Sequence, residues 1–172
     1  MGDSGRNAGF MIDVPHVTVG DPKFDQDHHK WRHRLNTIVI DRMRRIKNEH
    51  QLQVDWKESG KYLAAREKKC LPALTNLERF MEQIGGESQM LNRAQLADKL
   101  GTDYYLQGLY TPGTVLINPA ETVRGLASVL PSNVQVFENT AVIEVIEGPT
   151  PKVRLASGKV IKTNKVILTK TA

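Results

Sequence analysis

The sequence predicts an α+β fold in which a mostly antiparallel sheet carries helices packed on one face. Helical periods with capping signals dominate the first two thirds of the 172-residue chain, and residues 131–172 contain short β-like segments separated by turn residues. Apolar residues make up 40% and charged residues 25% of the chain, which is a globular balance. The length suffices for a domain with a core of its own.

Three regions are predicted along the chain. Residues 1–23 contain glycines and prolines without a sustained period and are predicted to form a loop. Residues 24–130 are predicted to be helix-rich, and residues 131–172 to be β-rich.

The first helix is predicted from Asp25 to about Gln51, with charges on one face. Its apolar residues fall near the opposite face: Trp31, Leu35, Ile38, Met43 and Ile46. A short extended segment is predicted at 53–56 and a strand at 61–65.

The second helix is predicted from apolar residues at spacings of three and four, followed by a glycine stop at Gly85 and Gly86. Those apolar residues are Leu71, Leu74, Leu77, Met81 and Ile84. A short strand is predicted at 89–91. Asn92 and Gln95 then form a capping box for a helix that ends at Gly101.

The stretch DYYLQGLYTPGTVLINP at 103–119 predicts a strand, a Pro-Gly turn and a second strand. Asn118 caps the next helix, Pro119 takes its first position, and Glu121 is expected to reach back to the cap. A buried stripe is expected on that helix at Val123, Leu126, Ala127 and Leu130. Further strands are predicted at 134–137, 141–146, 152–155, 160–161 and 165–168.

The run GDSG at 2–5 matches the surroundings of the nucleophile in trypsin-like serine proteases. That chemistry requires a base and an orienting acid, which precede the serine on an all-β body. Ser4 has three residues before it and a helix-rich segment after it, so we interpret the match as a coincidence.

The histidines at His28, His29 and His33 raise the alternative of a metal site, with Asp25 as a further ligand. We favour a charged, solvent-facing helix stripe, because no matching ligand cluster occurs elsewhere, and we expect no metal. The single cysteine, Cys70, is expected to be a small buried residue and not a nucleophile. One thiol cannot form an internal disulfide and no secretory leader pattern is present, so we expect a cytoplasmic protein.

The formal net charge is +5, concentrated in HHKWRHR with RMRRIK and in the lysines of the last third. A nucleic-acid partner is disfavoured, because no aromatic interleaving, recognition-helix pattern or zinc scaffold accompanies these charges. The apolar runs are too short to cross a bilayer. The sequence contains neither GxGxxG nor GxxxxGK[ST], so it lacks a nucleotide-binding strand–helix turn of its own.

Four stretches in order carry a resemblance to a known family: SGRNAGF at 4–10, SGKYLAA at 59–65, GTDYYLQGLYTPGTVLINPAETVRGLA at 101–127, and VQVFENTAVIEVI with GKVIKTNKVIL up to residue 168. Together they resemble the middle of an FAD-dependent oxidoreductase of the D-amino acid oxidase type, the broad DadA-like group. The resemblance extends over essentially the whole chain, and the third stretch is the most specific.

The resemblance implies a substrate domain with an antiparallel sheet beside an FAD domain of the glutathione-reductase type. By this resemblance, residues 1–23 would form a loop at the flavin-contacting edge of the FAD domain, residues 24–130 a substrate-domain-like region, and residues 131–172 a region that returns toward the FAD domain. It implies oxidation of a C–N bond by hydride transfer to the flavin. A loop of Ser4, Gly5, Arg6, Asn7, Ala8 and Gly9 would lie against the flavin and pyrophosphate. In such a loop small residues permit close backbone approach, Arg6 offers a fork to phosphate oxygens, and Asn7 offers amide donors.

Further site residues follow from the same resemblance. Val142 matches a family valine on the adenine side of the cofactor, which acts through its backbone. The stretch VILTKTA matches a family stretch close to VILATNA, and places Thr169 with residues 170–172 near the flavin. Tyr104, Tyr105 and Tyr110 are candidates to line a substrate pocket, with packing on the sheet as the alternative. No residue is assigned as a general base, since the flavin and positioning carry much of this chemistry.

Family members also have a GxGxxG unit before this region and further sheet after it, and the sequence contains neither. We therefore expect a subunit or fragment that binds FAD poorly alone and is completed by an FAD-domain polypeptide or by self-association, with an amino acid or amine as its small-molecule substrate. A gene remnant that still folds, as an oligomer that hides its exposed core, is a second explanation. The alternative is a non-catalytic oligomeric binding module derived from such an enzyme.

Overall fold

The computed structural model describes residues 3–14 and 25–169. The chain forms two compact units, of which the first ends at Val129 and the second begins at Leu130. Each unit is described by itself below. The assignment of the three predicted regions to parts of a flavoenzyme stays a prediction.

The first unit contains short 3₁₀ turns at Asp3–Gly5 and Lys68–Cys70. Its strands are β1 (Phe10–Met11), β2 (Trp56–Lys57), β3 (Lys61–Ala65), β4 (Gln89–Asn92), β5 (Gln107–Thr111) and β6 (Val115–Ile117). Its helices are α1 (Gln26–Glu49), α2 (Leu71–Ile84), α3 (Arg93–Leu100) and α4 (Pro119–Ser128).

Two antiparallel sheets form the β structure of the first unit. β6 pairs with β1 on one side and β2 on the other, and β5 pairs with β3 and β4. The stretch at 103–119 contains the predicted strand, turn and strand. The two strands, however, belong to different sheets, so the Pro112–Gly113 turn passes the chain from one sheet to the other.

The core lies between α2 and one face of the β3–β5–β4 sheet. Leu109 of β5 points into this core. Because successive residues of a strand point to opposite faces, the neighbouring Gly108 faces the other side of the sheet. Leu96 of α3 lies against Gly108, so α3 covers part of the opposite face. The core cluster comprises Val14, Ala65, Leu74, Leu77, Phe80, Met81, Ile84 and Leu109.

Local signals placed most element ends correctly. Asp25 accepts a hydrogen bond from the backbone N–H of His28 and caps α1. Gly85 and Gly101 adopt left-handed conformations at the ends of α2 and α3. The capping box of Asn92 and Gln95 is formed in both directions. Local hydrogen bonds of this kind are encoded within a few residues of sequence.

The predicted apolar face of α1 is not its buried face. Trp31 and Ile38 are more than half exposed, and Ile40, on the other side of the helix, is buried. The inward side carries polar residues, because the side chains of His33 and Asn36 hydrogen-bond to the main-chain oxygen of Asp13. The interpretation of the histidines as a solvent-facing stripe is confirmed for His28 and wrong for His33.

The predicted buried stripe of α4 is also wrong. Val123 is exposed, and the buried residue is Thr122. Gly125 faces the side chains of Leu52 and Val54, so the small residues of α4 form its packed side. Cys70 is likewise exposed, in contrast to the expectation of a buried thiol.

The second unit contains one antiparallel sheet in the order β7 (Val142–Ile146), β8 (Lys152–Leu155) and β9 (Val160–Lys162). No strand forms at 134–137 or 165–168, where the sequence predicted strands. A β-propensity run becomes a strand only where a partner strand accepts its hydrogen bonds. The α+β class with antiparallel sheets is confirmed for the described residues.

Candidate functional site

The loop before β1 is held in shape by the side chain of Asn7. Its Nδ2 donates to the main-chain oxygens of Asp3 and Ser4, both at 3.1 Å, and its Oδ1 accepts from the N–H of Gly9 at 2.9 Å. The main-chain N–H of Arg6 also donates to the oxygen of Asp3. Asn7 thus fixes the loop in this conformation, and its predicted donation to a cofactor stays a prediction.

Gly9 attaches this loop to the β1–β6 pair. Its main-chain oxygen accepts from the N–H of Ile117 at 2.8 Å, and its φ of 75° is left-handed. A Cβ at this position would overlap the main-chain oxygen of Ile117. The glycine is required by the approach of two backbones, a reason separate from the close cofactor approach that the sequence suggested.

Ser4, Arg6 and Ala8 form the exposed side of the loop. None of the ion pairs between described residues involves Arg6, so its guanidinium has no carboxylate partner among them. A planar guanidinium next to a hydroxyl and a small residue suits a phosphate group. The loop therefore presents a hydroxyl and a guanidinium on its exposed side, and the predicted contact of these groups with FAD stays a prediction.

The 3₁₀ turn at Asp3–Gly5 lies against α4, whose N-terminus is already satisfied. Oδ1 of Asn118 accepts from the N–H groups of Ala120 and Glu121 at 3.1 and 3.2 Å. Glu121, which was expected to reach back to the cap, instead accepts from the N–H of Asp55 at 2.9 Å. Among these features the exposed loop, and not the helix end, offers donors to an anion.

The three candidate pocket tyrosines fall into two groups. The rings of Tyr104 and Tyr105 meet edge to face at 5.2 Å, and the guanidinium of Arg66 lies 5.3 Å from the centre of the Tyr104 ring. Tyr110 lies opposite Tyr62 on the paired strand, with ring centres 4.8 Å apart. Their role in a substrate pocket stays a prediction.

The two remaining predicted cofactor residues belong to the second unit. Val142 opens β7, opposite Leu155 of β8, and its side chain is 52% exposed. Thr169 is exposed and follows the last strand. The rest of the predicted flavin-facing stretch, residues 170–172, lies outside the described residues.

A cavity of about 290 Å³ in the first unit was not anticipated from the sequence. Its lining includes Asp13, His33, Arg44 and Glu87. Asp13 offered a signal, since it is a lone carboxylate within the apolar run FMIDV, yet its burial depends on contacts with residues far along the chain.

In the described part of the chain, no group of three or more His, Cys, Asp or Glu is arranged to hold a metal ion. No described helix is both long and apolar enough to cross a membrane.

The curated relative "Probable oxidoreductase OrdL" of Haemophilus influenzae is 29% identical over 179 aligned residues. The alignment covers 98% of this chain and 40% of that protein. The chain therefore spans about two fifths of the length of this relative.

Solved structures share the fold at low sequence identity. Glycine oxidase from Geobacillus kaustophilus matches with a TM-score of 0.71 at 13% identity, over 94% of this chain and 43% of its own. L-amino acid deaminase from Proteus vulgaris, lacking its specific insertion sequence, matches with 0.67 at 15% identity, over 95% and 42%. L-α-glycerophosphate oxidase from Mycoplasma pneumoniae, with FAD bound, matches with 0.69 at 17% identity, over 89% and 39%.

The family comparison covers nearly the full length. Residues 1–170 match the DAO family, described as FAD dependent oxidoreductase. The match includes the loop at 4–9, both sheets of the first unit and the sheet of the second. The chain belongs to the DAO family of FAD-dependent oxidoreductases.

Proposed function

We propose that this chain is a subunit or fragment of an FAD-dependent oxidoreductase that oxidises the C–N bond of an amino acid or amine. The observation that carries the proposal is the loop at 4–9. It presents Ser4 and Arg6 to solvent from a base fixed by Asn7 and Gly9, in a chain of the DAO family.

In this proposal Arg6 pairs with the pyrophosphate of FAD, and Ser4 adds a hydroxyl donor beside it. Asn7 positions both by holding the loop, and Gly9 ties the loop to β6. FAD held by these residues would supply a hydride acceptor for the oxidation of the substrate carbon. Val142 and Thr169 of the second unit are proposed as further cofactor contacts, and the three tyrosines as substrate-pocket residues.

The substrate class is supported by the names of two structural neighbours. One is an oxidase of glycine and another a deaminase of L-amino acids, and both names specify amino compounds. The glycerophosphate oxidase shares the fold with a substrate of a different kind, so the fold alone does not select an amine. A substrate screen therefore needs amino acids, simple amines and glycerol phosphate side by side.

The chain spans 40% of the length of the curated relative. We propose that activity requires a complementing FAD-domain polypeptide or self-association. The single cysteine supports a reducing compartment, and we propose a cytoplasmic location.

Titration with FAD tests the cofactor loop. The protein is mixed with FAD alone, and also with a polypeptide made from the parts of OrdL that the alignment leaves uncovered, and flavin fluorescence and absorbance are measured. We expect weak binding alone and tighter binding with the added polypeptide. Arg6→Gln should weaken binding by about tenfold, because it removes a charge-assisted contact.

Arg124→Gln is the matched control, since Arg124 is an exposed arginine on α4 without an ion pair among the described residues. Equal FAD affinity in both variants would remove the role of Arg6. The absence of any flavin binding, with or without the added polypeptide, would contradict the proposal as a whole.

A second candidate function is a non-catalytic oligomeric module. It is favoured by the exposed apolar residues of the second unit, which include Ile143 and Ile161. It predicts a stable self-associated state that FAD does not alter. Light scattering after gel filtration, with and without FAD, separates the two candidates.

A further inference from the structure

The cavity described above lies in the first unit between α1, the glycine turn after α2 and the Pro112–Gly113 turn between β5 and β6. It measures about 290 Å³, near the lower end for small-molecule sites. None of the residues predicted to bind cofactor or substrate belongs to its lining.

Asp13 is the most buried charged residue of this lining, with 5% of its surface exposed. Its Oδ1 accepts from Oγ1 of Thr114 at 3.2 Å, and its main-chain oxygen accepts from Nδ1 of His33 and Nδ2 of Asn36, both at 3.2 Å. No donor to its Oδ2 is found among the described residues. Oδ2 therefore has no hydrogen-bond partner among the described residues, and because Asp13 lines the cavity, this oxygen is available to a donor that enters it.

The partly buried Lys61 does not pair directly with this carboxylate. The Nζ of Lys61 donates to the main-chain oxygen of Val14 at 3.4 Å, and no described ion pair joins Lys61 to Asp13. Lys61 offsets part of the negative charge at a distance, yet it does not satisfy Oδ2.

The one arginine in the cavity lining is already neutralised. Nε and Nη2 of Arg44 donate to the two carboxylate oxygens of Glu58 at 2.8 and 3.1 Å, and Nη1 donates to Asp41. Asp13 and Glu87 take part in no ion pair between described residues. The unbalanced charge of the described lining is therefore negative.

The neutral polar groups of the lining are acceptors as well. Because Nδ1 of His33 faces a carbonyl oxygen, Nδ1 is the donor, and in the neutral form of an imidazole this leaves Nε2 as an acceptor. The hydroxyl of Thr37 donates to the main-chain oxygen of His33, which leaves its lone pairs for a donor. Ile40 and Pro112 supply apolar surface.

We propose that this cavity binds a small organic cation, a primary alkylammonium, through Asp13. The three N–H donors of an ammonium match a carboxylate and neutral acceptors, and a short alkyl chain matches the apolar surface. The site is separate from the loop at 4–9 and does not depend on FAD binding.

Ligand-observed NMR on the full chain tests the proposal with n-butylammonium as the probe. n-Butanol serves as its neutral counterpart and butyrate as its anionic one. We expect n-butylammonium to bind at least about tenfold more tightly than n-butanol, and butyrate not to bind, because Asp13 supplies a charge-assisted hydrogen bond.

Variants locate the binding. Asp13→Asn should weaken n-butylammonium binding by about tenfold and Glu87→Gln by less. Asp98→Asn, at an exposed carboxylate on α3, should leave it unchanged. Circular dichroism confirms that each variant is folded. If Asp13→Asn fails to fold, two measurements still test the proposal. One is the affinity of the wild-type chain for n-butylammonium relative to n-butanol, and the other is the loss of n-butylammonium affinity in Glu87→Gln.

Two outcomes would overturn the proposal. One is equal binding of n-butylammonium and n-butanol to the wild-type chain. The other is the same loss of affinity in Asp98→Asn as in Glu87→Gln, which would indicate a general charge effect instead of binding in the cavity.

Discussion

The two units of this chain differ in what covers their sheets. In the first unit α2 packs against one face of the β3–β5–β4 sheet, and Leu109 of β5 is buried in that contact. In the second unit Leu155 is the one buried apolar residue among those described, and Val142, Ile143 and Val160 are exposed on a three-stranded sheet. A three-stranded sheet gains independent stability from an apolar face that is covered. The first unit therefore has a core of its own, whereas the sheet of the second unit has exposed apolar side chains.

The largest expected contrast is between core and sheet-surface truncations. Leu109→Ala should lower the free energy of unfolding by about 2–5 kcal/mol, because Leu109 is only 1% exposed within the core cluster. Ile143→Ala, at a residue 62% exposed, should change it by no more than about 0.5 kcal/mol. Urea denaturation followed by circular dichroism measures both. Comparable losses would show that the second unit also contains a structural core.

A smaller contrast is expected between two left-handed glycines, Gly9 of the first unit and Gly158 of the second. Replacement by alanine strains the backbone at both, by about 1–2 kcal/mol. Gly9→Ala should cost at least about 1 kcal/mol more, because its Cβ would overlap the oxygen of Ile117, whereas nothing lies within 4 Å of a Cβ at Gly158. Thermal denaturation measures the difference. Equal melting temperatures would indicate that the loop at 4–9 is not anchored on β6.

A further contrast compares a helix cap with a surface ion pair. Asn118→Ala should lower the free energy of unfolding by about 0.5–2 kcal/mol, because two N–H groups of α4 lose their acceptor. Glu144→Gln breaks the exposed ion pair with Arg154 on the second sheet, which is worth about 0–1 kcal/mol. Chemical denaturation of both variants tests the order. A greater loss in Glu144→Gln would reverse it.

The smallest effect concerns pH. Burial lowers the pKa of Lys61, and Asp13 opposes that shift in part. The unfolded chain then holds more protons than the folded one between the lowered pKa and the usual lysine value, so the cost of burying Lys61 fades as pH rises through that interval. Relative to Lys61→Met, the wild-type chain should gain stability with rising pH below the ordinary lysine pKa.

Lys152→Met, at an exposed lysine of β8, is the control for this pH effect. Urea denaturation across the alkaline range measures each variant against the wild type. A wild-type stability that does not change with pH relative to Lys61→Met would show that the Lys61 ammonium is well solvated.

The sequence predicted local structure well and burial poorly. The end of α2 at Gly85, the capping box at Asn92 and the cap at Asn118 were all anticipated, because each depends on residues within a few positions. The buried face of α1 was not anticipated. It is set by hydrogen bonds from His33 and Asn36 to the main-chain oxygen of Asp13, which lies 20 residues before His33 and 23 residues before Asn36.

The candidate site divides in the same way. The loop at 4–9 could be identified from its residues, and its internal Asn7 hydrogen bonds are local. The sequence did not predict the hydrogen bond that attaches Gly9 to Ile117, nor the cavity at Asp13. Both depend on strands and turns near residues 113–117, which are far along the chain.

The sequence by itself thus determined the α+β class, most helix ends and the local hydrogen bonds of the loop at 4–9, because periodicity, caps and turn residues act over short separations. Only the tertiary structure decided which face of α1 is buried, why Gly9 must be a glycine and where Asp13 is enclosed. Those features arise from hydrogen bonds and packing between distant segments, which exist only after the chain has folded.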